Sequence, residues 1–363
     1  MSNPRVLSIQ SHIVSGYCGN KAATFPLQLL GFDVDVMNTV SFSNHTGYPS
    51  WTGEKATGEQ LTKLYEGLQT NELVEYTHLL TGYIGSAQNL KAVTDIIKDL
   101  RLHGDPFFVL DPVMGDNGQL YVLPDVIPLY RELLKYAKAV TPNQFEAEIL
   151  TDKKISDVKS CLEAIEILHN SGVENVVITS VSLSPNDVSA HFLNDGSTPT
   201  VNGTPQRENT SEESSMYCVC SSKRDQNSYS RVFAIGFPTY DGYFTGTGDL
   251  FSALLVARLD EATRVEKEKS DIHAFESQTE ETGAGNQIST LAKACLKVVS
   301  TMKAVVLRTY LAQKGINVGG QVDKKQVSAA VVKRCELRLI QSKKDIEHPN
   351  EEGVQAIEIK MKQ

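Results

Sequence analysis

Phe244-Thr245-Gly246-Thr247-Gly248-Asp249 runs directly into Leu250-Phe251-Ser252-Ala253-Leu254-Leu255. Two glycines ahead of a small and apolar run describe a loop that opens a helix with a buried N-terminus. Unpaired N–H groups there, with the positive end of the helix dipole, make a site for phosphate or a developing anion. Asp249 falls in the first turn, where its carboxylate can take a proton from a substrate hydroxyl. The plainer alternative is a cap or a partner of the helix dipole, and on this motif alone that alternative leads. Asp111, Asp116 and Glu146 shift the balance. Magnesium prefers one or two carboxylates, waters and the oxygens of substrate phosphates, the donor set of phosphoryl-transfer sites.

The elements that must position these residues follow from hydrophobic periodicity. Residues 5–11 read as a buried strand with a polar end, 20–30 as an amphipathic helix closed by Gly31, and 32–37 as a returning strand. The unit recurs: strand 78–83, helix 87–102, strand 106–112, helix 126–136, strand 139–143 and a helix over 145–150. Helix 158–170 then precedes 175–180, the plainest parallel-strand run in the chain. Strands joined by helices pair in parallel. The fold class is therefore α/β, a single doubly wound, mostly parallel sheet flanked by helices over residues 1–363. Ligands of such sheets bind beyond the carboxyl ends of the strands. Ser11, Tyr83, Asp111, Asn143, Glu146, Thr179 and Ser180 all fall at such ends.

Two polar stretches interrupt this order. Residues 196–229 lack sustained periodicity and read as a loosely held excursion, which implies that 198–225 can give way to a short linker. Residues 260–286 are acidic and read as a solvated insertion. Regular structure returns as a strand over 230–235, a helix over 288–311 and a last strand over 336–340.

The net charge of −9 argues against a protein built to grip nucleic acid or an anionic membrane. Neither a membrane-length apolar run nor a signal-peptide core is visible. Six scattered cysteines, with only Cys218 and Cys220 close-set, form no zinc framework and fit a reducing compartment, the cytosol.

Several motifs in order carry a family resemblance. Ser8-Ile9-Gln10-Ser11-His12, Phe42-Ser43-Asn44-His45-Thr46-Gly47-Tyr48, Leu80-Thr81-Gly82-Tyr83, Asp111-Pro112-Val113-Met114-Gly115-Asp116, Thr141-Pro142-Asn143-Gln144-Phe145-Glu146 and the Gly246–Leu250 loop resemble the pyridoxal kinases of the ribokinase superfamily. Leu337-Arg338-Leu339-Ile340-Gln341-Ser342 resembles that family's C-terminal segment. The resemblance implies a ribokinase-like fold and ATP-dependent phosphorylation of the 5′-hydroxymethyl group of pyridoxal, pyridoxine and pyridoxamine. It implies Asp249 as the base, with Gly246, Thr247 and Gly248 as an anion hole. Ser11, Phe42, His45, Thr46 and Tyr83 would meet the vitamin, while Asn143, Thr179 and Ser180, with Thr247 and Gly248, would meet the nucleotide. Asp116 and Glu146 would serve Mg²⁺, and Asp111 the metal or a monovalent cation such as K⁺. The glycines around Asp116 imply a flap that closes over ATP, and the family implies a homodimer. Two alternatives stay open: a hydroxymethylpyrimidine kinase of the same superfamily, and a B6-binding protein without turnover.

Overall fold

A computed structural model describes residues 3–192, 215–223, 230–276, 288–314 and 328–360. Its centre is a ten-stranded sheet whose spatial order reverses around the first strand. Strand β1 (Arg5–Ile13) pairs in parallel with β2 (Asp33–Phe42) on one side, and β2 carries a short antiparallel edge, β3 (Gly53–Lys55). On its other side β1 pairs with β4 (His78–Thr81), followed outward by β5 (Phe107–Leu110), then beyond a small hairpin of β6 (Gly115–Asp116) and β7 (Gln119–Leu120) in the chain come β8 (Ala139–Val140) and β9 (Asn175–Leu183). All of these main-sheet pairings outside β3 are parallel. Beyond β9 the direction alternates: β10 (Ser215–Ser222), β11 (Arg231–Phe237) and β12 (Ala356–Ile359) are each antiparallel to their neighbour.

Both faces of the sheet are covered, as period-two alternation along buried strands requires. Leu7 and Ile9 of β1 face a core built with α2 (Gly58–Thr70), α3 (Ala87–His103), α4 (Ile127–Leu133), α5 (Gln144–Thr151) and α6 (Val158–Asn170). A short helix α7 (Pro185–Ala190) adds Val188 to it. Val6 faces the opposite layer, where α1 (Asn20–Leu29) packs with α8 (Thr247–Glu276). The second long helix of that layer, α9 (Thr290–Gln313), lies on β10 and β11 through Cys295 and Val298. The chain closes with α10 (Ala329–Arg334) and α11 (Lys343–Glu347).

Three sequence expectations are corrected here. The polar excursion over 196–229 contains a strand: β10 sits between β9 and β11, and Cys218, Val219 and Cys220 are fully buried. Residues 198–225 therefore cannot be cut without removing a core strand; 193–214 and 224–229 lie outside the described residues. The acidic stretch from Asp260 onward begins as the continuation of α8. Its carboxylates are partly consumed by ion pairs, with Glu261 meeting Arg258 at 2.6 Å and Lys297 at 2.7 Å. Residues 277–287 lie outside the described residues. Finally, 336–340 is no strand. The chain there leaves α10 and enters a short 3₁₀ turn at Ile340–Ser342, and the sheet instead ends on β12, pinned by a two-pronged Arg231–Glu358 pair.

Candidate active site

Asp249 stands in the first turn of α8, and its Oδ2 accepts the Gly19 N–H at 2.7 Å. Burial raises its affinity for protons, and the Gly19 amide partly offsets that. Ahead of it, Gly246 has a φ of +82°, and any Cβ there would collide with the Tyr17 carbonyl oxygen. Both constraints admit only glycine. The loop is thereby pressed against residues 17–19, which brings the β1–α1 connection beside the helix start.

Asp111, at the end of β5, is buried beneath this loop; a Cβ on Gly248 would stand 3.8 Å from its Oδ2. That oxygen accepts the Ser252 hydroxyl at 3.0 Å, and Ser252 in turn meets Thr141 at 2.8 Å. Burial pushes the Asp111 carboxyl well up, and the charges of Glu146 and Asp249 push it further. Glu146 occupies the third position of α5 and closes a capping box with Asn143. Its Oε2 takes the Asn143 N–H at 3.0 Å, and its Oε1 takes those of Met114 at 2.9 Å and Gly115 at 3.4 Å. Burial pushes it up to about 7, against the pull of those amides. Glu146 is thus a helix cap and also the anchor of the β6–β7 hairpin. Asp116, on that hairpin, is exposed and accepts the Asn117 N–H at 2.7 Å.

Among the described residues no three His, Cys, Asp or Glu side chains form a metal cage. The donor set nonetheless suits a hard cation. Asp111 lies near two other carboxylates, and repulsion among them disfavours its charged form, which a divalent cation bound there would stabilise.

On one side of Asp249, Phe42 packs with Ile13, Cys18 and Val40, and Tyr83 joins that group. Phe42 also stacks on Trp51 at 4.5 Å. Ser11 lies within β1, which runs on to Ile13, and faces Gly19, where a Cβ would clash with its carbonyl and hydroxyl oxygens. His45 is buried in the loop after β2 and its Nδ1 accepts the Gly47 N–H at 3.1 Å, whereas Thr46 is exposed. On the other side lies a cavity of about 270 Å³. Thr179, Ser180, Thr247 and Gly248 line it. Asn143 does not; its amide bridges to the Gly115 carbonyl at 2.8 Å instead. Sequence reasoning missed the apolar walls, Phe237 at the end of β11, Tyr240 after it, and Val299, Met302 and Val306 on α9. A signal existed, because those three α9 positions recur at helical spacing next to the glycine-loop helix. Glu336 and Tyr17 were missed as well.

A carboxylate in the first turn of a helix, a glycine loop ahead of it and a cavity beside both suit small-molecule phosphotransfer, and this sheet is that of the ribokinase-like kinases. The family model described as phosphomethylpyrimidine kinase matches residues 60–222. Pyridoxal kinase of Ovis aries is 38% identical over 351 residues, covering 95% of this chain and 96% of its own. Pyridoxal kinase of Arabidopsis thaliana is 39% identical over 351 residues, covering 96% and 93%. The structure of pyridoxal kinase from Leishmania donovani in complex with ADP and pyridoxamine superposes with a TM-score of 0.72 at 32% identity, covering 99% of this chain and 100% of that one. The chain belongs to the pyridoxal kinase family.

Proposed function

We infer that this protein is an ATP-dependent kinase that phosphorylates the 5′-hydroxymethyl group of pyridoxal, pyridoxine and pyridoxamine. The observation that carries this is Asp249, half-buried in the first turn of α8 behind the glycine loop, between an aromatic-lined side and the cavity. Asp249 takes the hydroxyl proton as that oxygen forms its bond to the γ-phosphorus, the bond to the β,γ-bridging oxygen breaks, and ADP leaves. Burial raises the basicity of Asp249, the direction a general base requires. The N–H groups of the Gly246–Gly248 loop stabilise charge on the transferred phosphoryl. Phe42 and Tyr83 offer flat faces to the vitamin ring, and Ser11 its hydroxyl to the ring's polar edge. His45 joins them, and Thr46, exposed in the same loop, is kept as a candidate contact on the family resemblance. Thr179 and Ser180 serve the nucleotide phosphates, with Asn143 acting through the hairpin it holds.

Asp111 and Asp116, with Glu146 behind the hairpin, would hold Mg²⁺ partly through water; the ion would neutralise phosphate charge. Asp111 is also the candidate contact for a monovalent cation such as K⁺. A homodimer in the cytosol is the assembly and compartment that the family resemblance and the sparse cysteines support. No helix among the described residues is long and apolar enough to cross a membrane.

The match to a phosphomethylpyrimidine kinase model keeps a hydroxymethylpyrimidine acceptor as the second reading. A panel of pyridoxal, pyridoxine, pyridoxamine, hydroxymethylpyrimidine and ribose, each with MgATP, separates the two. Product is expected on the first three. Ribose has no aromatic face, and hydroxymethylpyrimidine lacks the phenolic hydroxyl, so it would leave buried polar groups unpaired. Preference for hydroxymethylpyrimidine would overturn the inference, and ADP release on no acceptor would restore the reading of a B6-binding protein without turnover.

A further inference from the structure

Glu336 follows α10 and buries its carboxylate, 8% exposed, against two loops from the opposite end of the chain. Its Oε2 accepts the backbone N–H of Tyr17 at 3.0 Å. Its Oε1 accepts the Tyr48 hydroxyl at 3.0 Å and lies 3.3 Å from Nε2 of His45. Among the described residues no lysine or arginine pairs with it. A carboxylate buried without a cation is costly unless hydrogen bonds replace its water. Here two donors, the Tyr17 N–H and the Tyr48 hydroxyl, bind it with the His45 ring beside them, and bonds to an ionised acceptor are the strong ones.

Each contact leads toward the site. Nδ1 of His45 accepts the Gly47 N–H and Nε2 lies 3.3 Å from the Glu336 carboxylate, so the loop amide and the carboxylate together fix the orientation of the ring. The ring is further held by Tyr48, 4.8 Å between centroids, and by Tyr243 at 6.3 Å. Tyr17 presents the carbonyl that presses on Gly246 of the anion loop. Two residues further on, Gly19 donates to Asp249. Residues 17–19 are thus a strap fastened at one end to Glu336 and at the other to Asp249.

We propose that Glu336 is a positioning residue for phosphoryl transfer, setting both the strap that donates to Asp249 and the orientation of the His45 ring toward the acceptor. This rests on the reading that the acceptor hydroxyl meets Asp249 on the His45 side. The nucleotide cavity takes no wall from the 17–19 strap or the His45 loop, so its affinity should be independent of Glu336.

The test is steady-state kinetics in pyridoxal and in ATP for the wild type, Glu336→Gln, Glu336→Ala and Tyr48→Phe, with ADP affinity by calorimetry. Misplacing reacting groups by about 1 Å costs roughly 10²-fold, so Glu336→Ala should lose about 10- to 100-fold in kcat/KM for pyridoxal while ADP affinity stays within about twofold. Glu336→Gln keeps the shape and one acceptor oxygen, and should recover a large part of that loss. Tyr48→Phe removes a single donor and should raise the pyridoxal KM by about threefold with kcat little changed. Should Glu336→Ala not fold, the other two variants decide on the same criteria. Pyridoxal kinetics unchanged in the variants would overturn the proposal. So would ADP affinity and pyridoxal kcat/KM falling in equal proportion, the mark of a general structural loss. A wild type without turnover of pyridoxal overturns the kinase reading and this inference with it, whereas an active wild type with insensitive variants overturns this inference alone.

Discussion

The two flanks of Asp249 are built on different principles. The acceptor flank is made of short connections at the ends of parallel strands, where polar side chains and backbone amides hold one another: Glu336 to Tyr17, His45 to Gly47, Gly19 to Asp249. The nucleotide flank is an apolar cavity whose walls come from the antiparallel margin of the sheet and from one face of α9. The first flank is held in shape by hydrogen bonds of fixed direction within the protein, each costly to leave unmade. The second is specified by shape and buried area, which tolerate change until the volume is wrong.

The difference can be broken at several points. The severest is excision of Ser215–Ser222, which removes β10 with three fully buried apolar residues and both its pairings. Total stability is only about 5–15 kcal/mol, so no soluble folded protein should remain. Soluble, ADP-binding protein after this excision would show that the antiparallel margin is dispensable.

Next in size is Asp249→Asn, which should lower kcat by about 10²–10⁴-fold while pyridoxal and ADP still bind, as expected for a positioned base. A rate within threefold of wild type would remove Asp249 from the chemistry. Glu146→Gln should raise the magnesium concentration for half-maximal rate by about 10- to 100-fold, the usual effect of a supporting carboxylate. Exposed Asp116→Asn should do so less. Identical magnesium titrations would return Glu146 to a helix cap alone.

On the cavity side, Tyr240 stacks on Tyr310 with centroids 5.0 Å apart. Tyr240→Ala should raise the ATP KM by about tenfold, the worth of roughly 1.4 kcal/mol, and leave the pyridoxal KM alone. Equal changes in both constants would mean that the flanks are not separable.

The smallest effect concerns pH and the seam between the two parts of the sheet. His169 of α6 joins the Val173 carbonyl at 2.8 Å and the Ser221 hydroxyl of β10 at 2.8 Å. Burial lowers its imidazole below the ordinary value of 6.5. The neutral ring therefore contributes stability that is present above pH 6.5 and lost as pH falls through the lowered folded-state value. His169→Gln should cost about 1 kcal/mol at pH 7.5, roughly 2 °C in Tm, and flatten the decline below pH 6.5. A Tm–pH curve parallel to that of the wild type would show that His169 does not titrate with unfolding.

The sequence by itself determined the parallel part of the sheet and the acceptor motifs. Runs such as Phe107–Leu110 and Val176–Ile178 are apolar on both faces, so local composition reveals them, and glycines and carboxylates at strand ends need only local spacing to be read. Asp249 and the loop ahead of it were legible for the same reason. Tertiary structure alone decided the antiparallel margin. β10 is a short run of apolar residues between polar flanks, and only its neighbours β9 and β11 give it a ladder. The same holds for Glu336, 319 positions from the Tyr17 amide it accepts. A carboxylate in a C-terminal segment has no local pattern that names its partners. Its role exists because folding brings Tyr17, His45 and Tyr48 around it and removes the water that would otherwise solvate it.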